Sequence, residues 1–256
     1  MSRDLLSIKN RVAIVTGAAR GMGKAVSKKL ARHGAFVYVT DVDVDGVNGV
    51  AKEIVDELGD RAKAVRLDVT DYGDVEGLVE EAIKEHGRID ILVNNAGILR
   101  RRATLEDIPD EEWDLVMGVN VKGVFNCTKA VLPKMKERRY GKIVNLSSTA
   151  GRSTSELGGA HYTASKAAVL GLTRHTAREA APYGINVNAI CPSLVDTPMV
   201  RETTDPEELE RFIGDIPMDR MATPEEAADL ILFLVSDASS FVNGATIDFT
   251  GASLLI

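Results

Sequence analysis

The chain is short of the residues that staple or ligate. Among 256 residues there are two cysteines and four histidines. Cys127 and Cys191 lie far apart and the histidines do not cluster, so a disulfide framework and a structural metal site both lack their ingredients. No apolar run approaches the roughly 20 residues of a membrane-spanning helix. The N-terminal stretch MSRDLLSIKNRVAIVTG has no long apolar core before its first strand-like run, which reads as a cytoplasmic protein with no membrane partner. Positive charge is also short: 31 Lys and Arg stand against 38 Asp and Glu, and the net charge of -7 offers no general attraction for nucleic acid. Repeats, low-complexity tracts and linkers are missing as well. With 45% hydrophobic and 27% charged residues, the chain has the composition of one folded domain over 1–256.

What is present is alternation. Apolar β-type runs, VAIVT 12–16, FVYVT 36–40, AKAVRL 62–67, DILV 90–93, KIVNLS 142–147, INVNAI 185–190 and ATIDF 245–249, recur between amphipathic helical patterns. One such helix, GKAVSKKLARHG, carries Ala25, Val26 and Leu30 on one side and Gly34 as its stop. The pattern predicts an α/β fold: a single-domain, doubly wound (Rossmann-type) parallel seven-stranded sheet with helices on both faces. The segment at about 198–224 interrupts the rhythm with one short helix of its own, DPEELERFI, and reads as a mobile substrate loop.

The first strand runs into TGAARGMG, residues 16 to 23, and then into a helix. Gly17 suits a tight turn, and Gly21 and Gly23, with Met22 between them, let a pyrophosphate approach the helix N-terminus. The spacing differs by one residue from the dinucleotide fingerprint G-x-G-x-x-G. Asp41 ends the second strand, where a carboxylate accepts hydrogen bonds from an adenosine ribose and repels a 2′-phosphate, favouring NAD with NADP the weaker alternative. Arg20 is the counter-signal, since a basic residue in the loop can face a phosphate. Asp68 and Val69 follow the third strand and rim an adenine pocket or, equally, Asp68 caps the helix begun by TDYGDV. The turn NNAG, with Asn95, Ala96 and Gly97, follows the fourth strand. Tyr162 and Lys166 in AHYTASKAAV share a helix face at (i, i+4), a weak motif by itself.

Taken in order, the glycine loop, Asp41, NNAG, NLSSTAG and YTASK resemble the short-chain dehydrogenase/reductase family over residues 8 to 250. The resemblance implies an oxidoreductase in which Tyr162 is general acid/base and Lys166 lowers its pKa, together with a positive nicotinamide ring, while holding the cofactor ribose. It implies that Ser148 steadies the reacting oxygen, with Ser147 as the rival serine, and that Asn120 in VNVKG kinks its helix on a path to the lysine. Pro192, Val195 and Thr197 are placed beside the nicotinamide, and a helix-capping role is the alternative for Thr197. The family's dimers and tetramers imply a homotetramer or homodimer through helices around 110–138 and 160–182.

Three features depart from the family pattern. The interval from Ser148 to Tyr162 is 14 residues, one longer than is common, so RSTSELGGAH should bulge near the substrate. Pro192-Ser193 replaces Pro-Gly, and the ending DFTGASLLI lacks the usual aspartate-glycine-glycine. The substrate is expected to be an alcohol or carbonyl. Arg100, Arg101, Arg102, Arg152, His161 and Arg201 suggest a polar or anionic one, such as a polyol, sugar acid or sulfonate, against the plainer reading of a solvated charge run. A 3-oxoacyl-thioester reductase using NADPH is the runner-up; a cofactor-binding protein without turnover is disfavoured by the complete catalytic set. A nucleotide-sugar epimerase would call for a larger substrate domain.

Overall fold

A computed structural model describes residues 5–101 and 104–255. In chain order its elements are β1 (Val12–Thr16), α1 (Gly21–Arg32), β2 (Phe36–Asp41), α2 (Val44–Leu58), β3 (Ala62–Arg66), α3 (Tyr72–His86), β4 (Ile91–Asn94), α4 (Asp110–Met117), α5 (Gly123–Arg138), β5 (Gly141–Leu146), α6 (Ala160–Ala180), β6 (Ile185–Pro192), α7 (Pro198–Thr203), α8 (Pro206–Gly214), α9 (Pro224–Val235) and β7 (Thr246–Phe249). The seven strands are parallel in the order β3-β2-β1-β4-β5-β6-β7. Each continuous apolar run of the sequence is one of these strands.

Period-two alternation splits the core into two layers. Ala13 and Val15 of β1 join Val37, Val39 and Val93 against α1, α2 and α9, through Val26, Leu30, Ile54 and Ile231. Val12 and Ile14 join Leu92, Ile143 and Val187 against α3, α5 and α6, through Leu78, Val131, Met135 and Ala177. Fully burying such a side chain stabilises the fold by roughly 1.5–3 kcal/mol, so a one-residue slip of β1 would exchange its two faces at once. The edge strand β3 carries Lys63 and Arg66, both in ion pairs to α3, which suits an edge that must not pair further.

Local chemistry sets the helix ends. Asp43 accepts from the Gly46 N–H to cap α2, Asp71 accepts from Gly73 and Asp74 to cap α3, and Thr223 with Glu226 forms a reciprocal capping box on α9. Gly34 follows α1 with φ +96, a conformation open to glycine. Asn120, expected to kink its helix, lies in a π-type turn at Gly118–Lys122. One expectation changes: the 198–224 segment carries two helices, α7 and α8, where one was expected. Pro206 explains the break between them: it opens α8 at its first position and cannot continue α7.

The strand order reverses between β1 and β4, so a crevice opens beyond their carboxyl ends. Among the described residues, no helix is long and apolar enough to cross a membrane.

Candidate active site

The crevice is floored by the glycine loop and the turn after β4, and the two interlock. Asn95 donates from its side-chain amide to the carbonyls of Thr16 and Gly17, and the Thr16 hydroxyl accepts from the N–H groups of Asn95 and Ala96. A Cβ on Gly23 would sit 2.2 Å from the Gly17 carbonyl oxygen, and one on Gly17 would sit 2.7 Å from Ala96 Cα. Gly17 and Gly21 also have φ +64 and +55. Whereas α2, α3 and α9 close their first turns with their own side chains, α1 has no side-chain cap and no acid in its first turn. Its N-terminus is therefore open to an anion from outside the chain, which fits a dinucleotide pyrophosphate.

Asp41 reaches back to this loop. Its carboxylate accepts from Ala19 N–H at 3.2 Å and from Asp43 N–H at 3.1 Å, which fixes it at the loop's edge. Arg20 turns the other way and pairs with Glu202 of α7 at 2.7 Å. Asp68 accepts from the Thr70 hydroxyl and N–H, which hold its carboxyl below the usual range. The helix cap is Asp71, so the capping alternative for Asp68 fails. Val69 packs its side chain toward Gly123, where a Cβ would meet Val69 Cγ2 at 2.5 Å, and its carbonyl accepts from Asn126. Both bonds to Asp68 fall on its Oδ1, which leaves Oδ2 to face an adenine.

Tyr162 stands in the first turn of α6, above the end of β5. Its phenol is hydrogen-bonded with Ser148, whose own hydroxyl also accepts from Ala150 N–H. Ser147 is committed elsewhere: buried, it donates to the Lys166 carbonyl at 2.8 Å. That bond separates the two serines by role and leaves Ser148 facing the tyrosine. Lys166 Nζ lies 5.6 Å from the Tyr162 ring centroid and donates to the Leu146 carbonyl at 2.8 Å. An ammonium has three donors, so two remain for ribose hydroxyls.

Burial pushes the Tyr162 phenol up to about 12 despite the Ser148 hydrogen bond, and burial pulls the Lys166 ammonium down to about 8. Desolvation is the largest contribution at the phenol, and the Ser148 hydrogen bond opposes it.

Asn120 sits in the π-type turn, buried, and grips the strand-to-loop chain. Its side chain accepts from Ile98 N–H and donates to the Ile98 carbonyl and to Ser165 Oγ. A Cβ on Gly97 would lie 3.3 Å from Asn120 Oδ1 and 3.4 Å from Lys166 Nζ, so Gly97 keeps the space between them open. Met22, Ser148, Tyr162, Pro192, Val195 and Thr197 all line one cavity of about 350 Å³. Thr197 precedes α7 without capping it; its hydroxyl donates to the Val195 carbonyl.

Two expected substrate residues are elsewhere. Arg152 forms a two-pronged pair with Asp248 of β7, both bonds 2.9 Å, and does not line the cavity. His161 is fully buried. Its Nδ1 accepts from Tyr162 N–H at 2.8 Å, which places the proton on Nε2, donated to Glu112 of α4 at 2.9 Å. It faces neither the cavity nor solvent. Arg201 is held by Asp196 and Arg101 by Asp205, and Arg102 lies outside the described residues. Among the described residues no Lys or Arg lines the cavity; its charged members are Glu156 and Asp215.

Sequence reasoning missed Leu99, Phe212, Ile216 and the tail residues Ser253 and Leu254 on the cavity wall. Nothing in a lone apolar residue signals a cavity wall. Asn94, read from the sequence as the first residue of the NNAG turn, instead ends β4. Asn94 donates to Asn145, which donates to Thr173, a buried polar chain tying β4 through β5 to α6.

A family profile described as enoyl-(acyl carrier protein) reductase matches residues 17–251. The chain is 40% identical over 250 residues to the 3-oxoacyl-(acyl-carrier-protein) reductase of Thermotoga maritima, with 98% of this chain and 100% of that one covered. A short-chain type dehydrogenase/reductase from Mycobacterium marinum superposes with a TM-score of 0.92 at 35% identity, covering 99% of both chains. The 3-ketoacyl-(acyl-carrier-protein) reductase of Brucella melitensis, solved in complex with NADH, gives a TM-score of 0.90 at 36% identity over 97% of this chain and 100% of that one.

Proposed function

The chain belongs to the short-chain dehydrogenase/reductase family, and from that premise we propose that it interconverts a secondary alcohol and its carbonyl using NAD in preference to NADP. The observation that carries this reading is the Tyr162–Ser148 pair, set with Met22 and Thr197 in one cavity beside the open N-terminus of α1. When bound, the dinucleotide would supply or accept the hydride and, oxidised, would add positive charge to the site.

In oxidation, Tyr162 Oη takes the hydroxyl proton as the carbinol carbon loses hydride; in reduction it returns that proton to the carbonyl oxygen. Ser148 Oγ holds the same oxygen and stabilises charge developing there. Lys166 supplies a donor pair to the ribose and positive charge near the phenol. Asn120 orients the Ile98 backbone and Ser165 beneath it. Asp41 would take the adenosine ribose hydroxyls, and its negative charge opposes a 2′-phosphate.

The cavity wall supports a substrate with an apolar arm more than an anion, because Arg101, Arg152 and Arg201 already have carboxylate partners, Arg100 does not line the cavity and Arg102 lies outside the described residues. A second reading, 3-oxoacyl-thioester reduction with NADPH, is favoured by the Thermotoga relative and by an adjoining hollow of about 930 Å³ that shares Leu157, Thr203 and Phe212 with the cavity. That hollow gives room for a long arm. Assembly through α4, α5 and α6 into a dimer or tetramer belongs to the same proposal.

A screen of polyols, neutral ketones, hydroxy acids, sulfonates and 3-oxoacyl thioesters with each cofactor tests the reading. A neutral alcohol–ketone pair turned over with NAD(H) at the higher kcat/KM is expected. Turnover of thioesters alone, with NADPH preferred, would replace it by the second reading.

A further inference from the structure

Arg20 is the single basic residue of TGAARGMG, and the stretch that follows Asp41 contains acids at 43 and 45 and no Lys or Arg before Lys52. The adenosine end of the crevice thus has one cation within the loop that could greet a 2′-phosphate. That cation is taken. Arg20 Nη1 donates to both carboxylate oxygens of Glu202, at 2.7 and 3.0 Å, across 182 positions of sequence. Close by, Gly21 abuts Thr197, since a Cβ there would lie 3.3 Å from Thr197 Cγ2. Helices α7 and α8 line the cavity and form its lid, and the start of α7 meets the glycine loop where Arg20 leaves it.

We propose that Glu202 is a specificity-determining residue, which holds Arg20 on the lid side of the crevice and withdraws it from the ribose edge that Asp41 guards. The proposal rests on the reading that this crevice takes a nicotinamide dinucleotide. Two carboxylates then act on one choice. Asp41 repels a 2′-phosphate directly, while Glu202 removes the guanidinium that would compensate. Both partners are more than half exposed, at 59% and 57%, so the pair is a weak competitor and its removal frees Arg20 without unfolding anything. A freed guanidinium makes a charge-assisted hydrogen bond to phosphate that a neutral ribose hydroxyl cannot match.

The test is titration of NAD+ and NADP+ by calorimetry into the wild type, Glu202→Gln and Asp205→Asn. Asp205 holds Arg101 and so ties the lid at its other side without touching Arg20. The expectation is that Glu202→Gln tightens NADP+ by about fivefold, leaves the Kd for NAD+ within about twofold, and that Asp205→Asn leaves the NADP+/NAD+ ratio unchanged. A ratio that does not move in Glu202→Gln, or that moves equally in Asp205→Asn, overturns the proposal and reduces the pair to a simple tether. A wild type that binds NADP+ at least as tightly as NAD+ contradicts the NAD reading instead. In that case, a further gain for NADP+ in Glu202→Gln still upholds the role of Glu202.

Discussion

Around Tyr162 the polar groups are buried and answered one by one: Ser147 by the Lys166 carbonyl, Lys166 by Leu146, Asn120 by Ile98 and Ser165, His161 by Glu112. Over the cavity, α7 and α8 are tied instead by exposed ion pairs, Arg20 to Glu202, Arg101 to Asp205 and Arg201 to Asp196. Buried hydrogen bonds resist change because a deserted partner bears its full desolvation penalty. Exposed pairs are screened by salt and exchange easily. The floor is thus held by bonds that are costly to break, and the lid by pairs that are cheap to exchange.

The largest contrast is expected from the floor's tightest point. Gly23→Ala forces a Cβ to within 2.2 Å of the Gly17 oxygen and 2.6 Å of Asn95 Nδ2. It should cost about 1–3 kcal/mol in a urea titration and weaken dinucleotide binding by more than about tenfold. Unchanged values would mean that the loop gives way as readily as the lid, and the contrast would fail.

A second test uses pH. Lys142, buried on β5 against Asn186, is drawn down to about 8 by burial. Its ordinary value is near 10.5, so between these values the unfolded chain holds more protons than the folded one. Stability from this group therefore rises as pH rises through that window. Measured against wild type, Lys142→Met should have its greatest relative stability at pH 7 and lose roughly 2 kcal/mol of that advantage by pH 10. A pH-independent difference would show that the buried lysine keeps its ordinary pKa.

The smallest effect is expected from the lid. Asp205→Asn should raise the substrate KM by less than about fivefold with kcat nearly constant, and added salt should reproduce the change in the wild type. A large fall in kcat would show that α8 also orders the floor.

This division explains what was legible in the sequence. VAIVT and INVNAI could be read as strands because both faces are buried, and TGAARGMG because its glycines answer steric demands of backbone on backbone. Tyr162, Lys166 and Ser148 are assigned through the resemblance carried by the order of the motifs, since a helix face shared at (i, i+4) is a weak signal by itself. Arg152 and His161 could not be placed, since each owes its position to a partner distant in sequence, Asp248 and Glu112. The same holds for Leu254, carried to the cavity by a turn in which Thr250 donates to its carbonyl. The burial that opposes phenol activation at Tyr162 was likewise invisible, because it depends on the whole enclosing cavity.

The most direct test of the central claim is Tyr162→Phe, with NADH binding followed by titration and turnover by loss of the reduced-nicotinamide signal. Removing one hydroxyl from the buried floor should leave the Kd for NADH within about twofold and lower kcat by about 10²–10⁴. Full turnover in that variant would contradict the assignment of the proton to Tyr162.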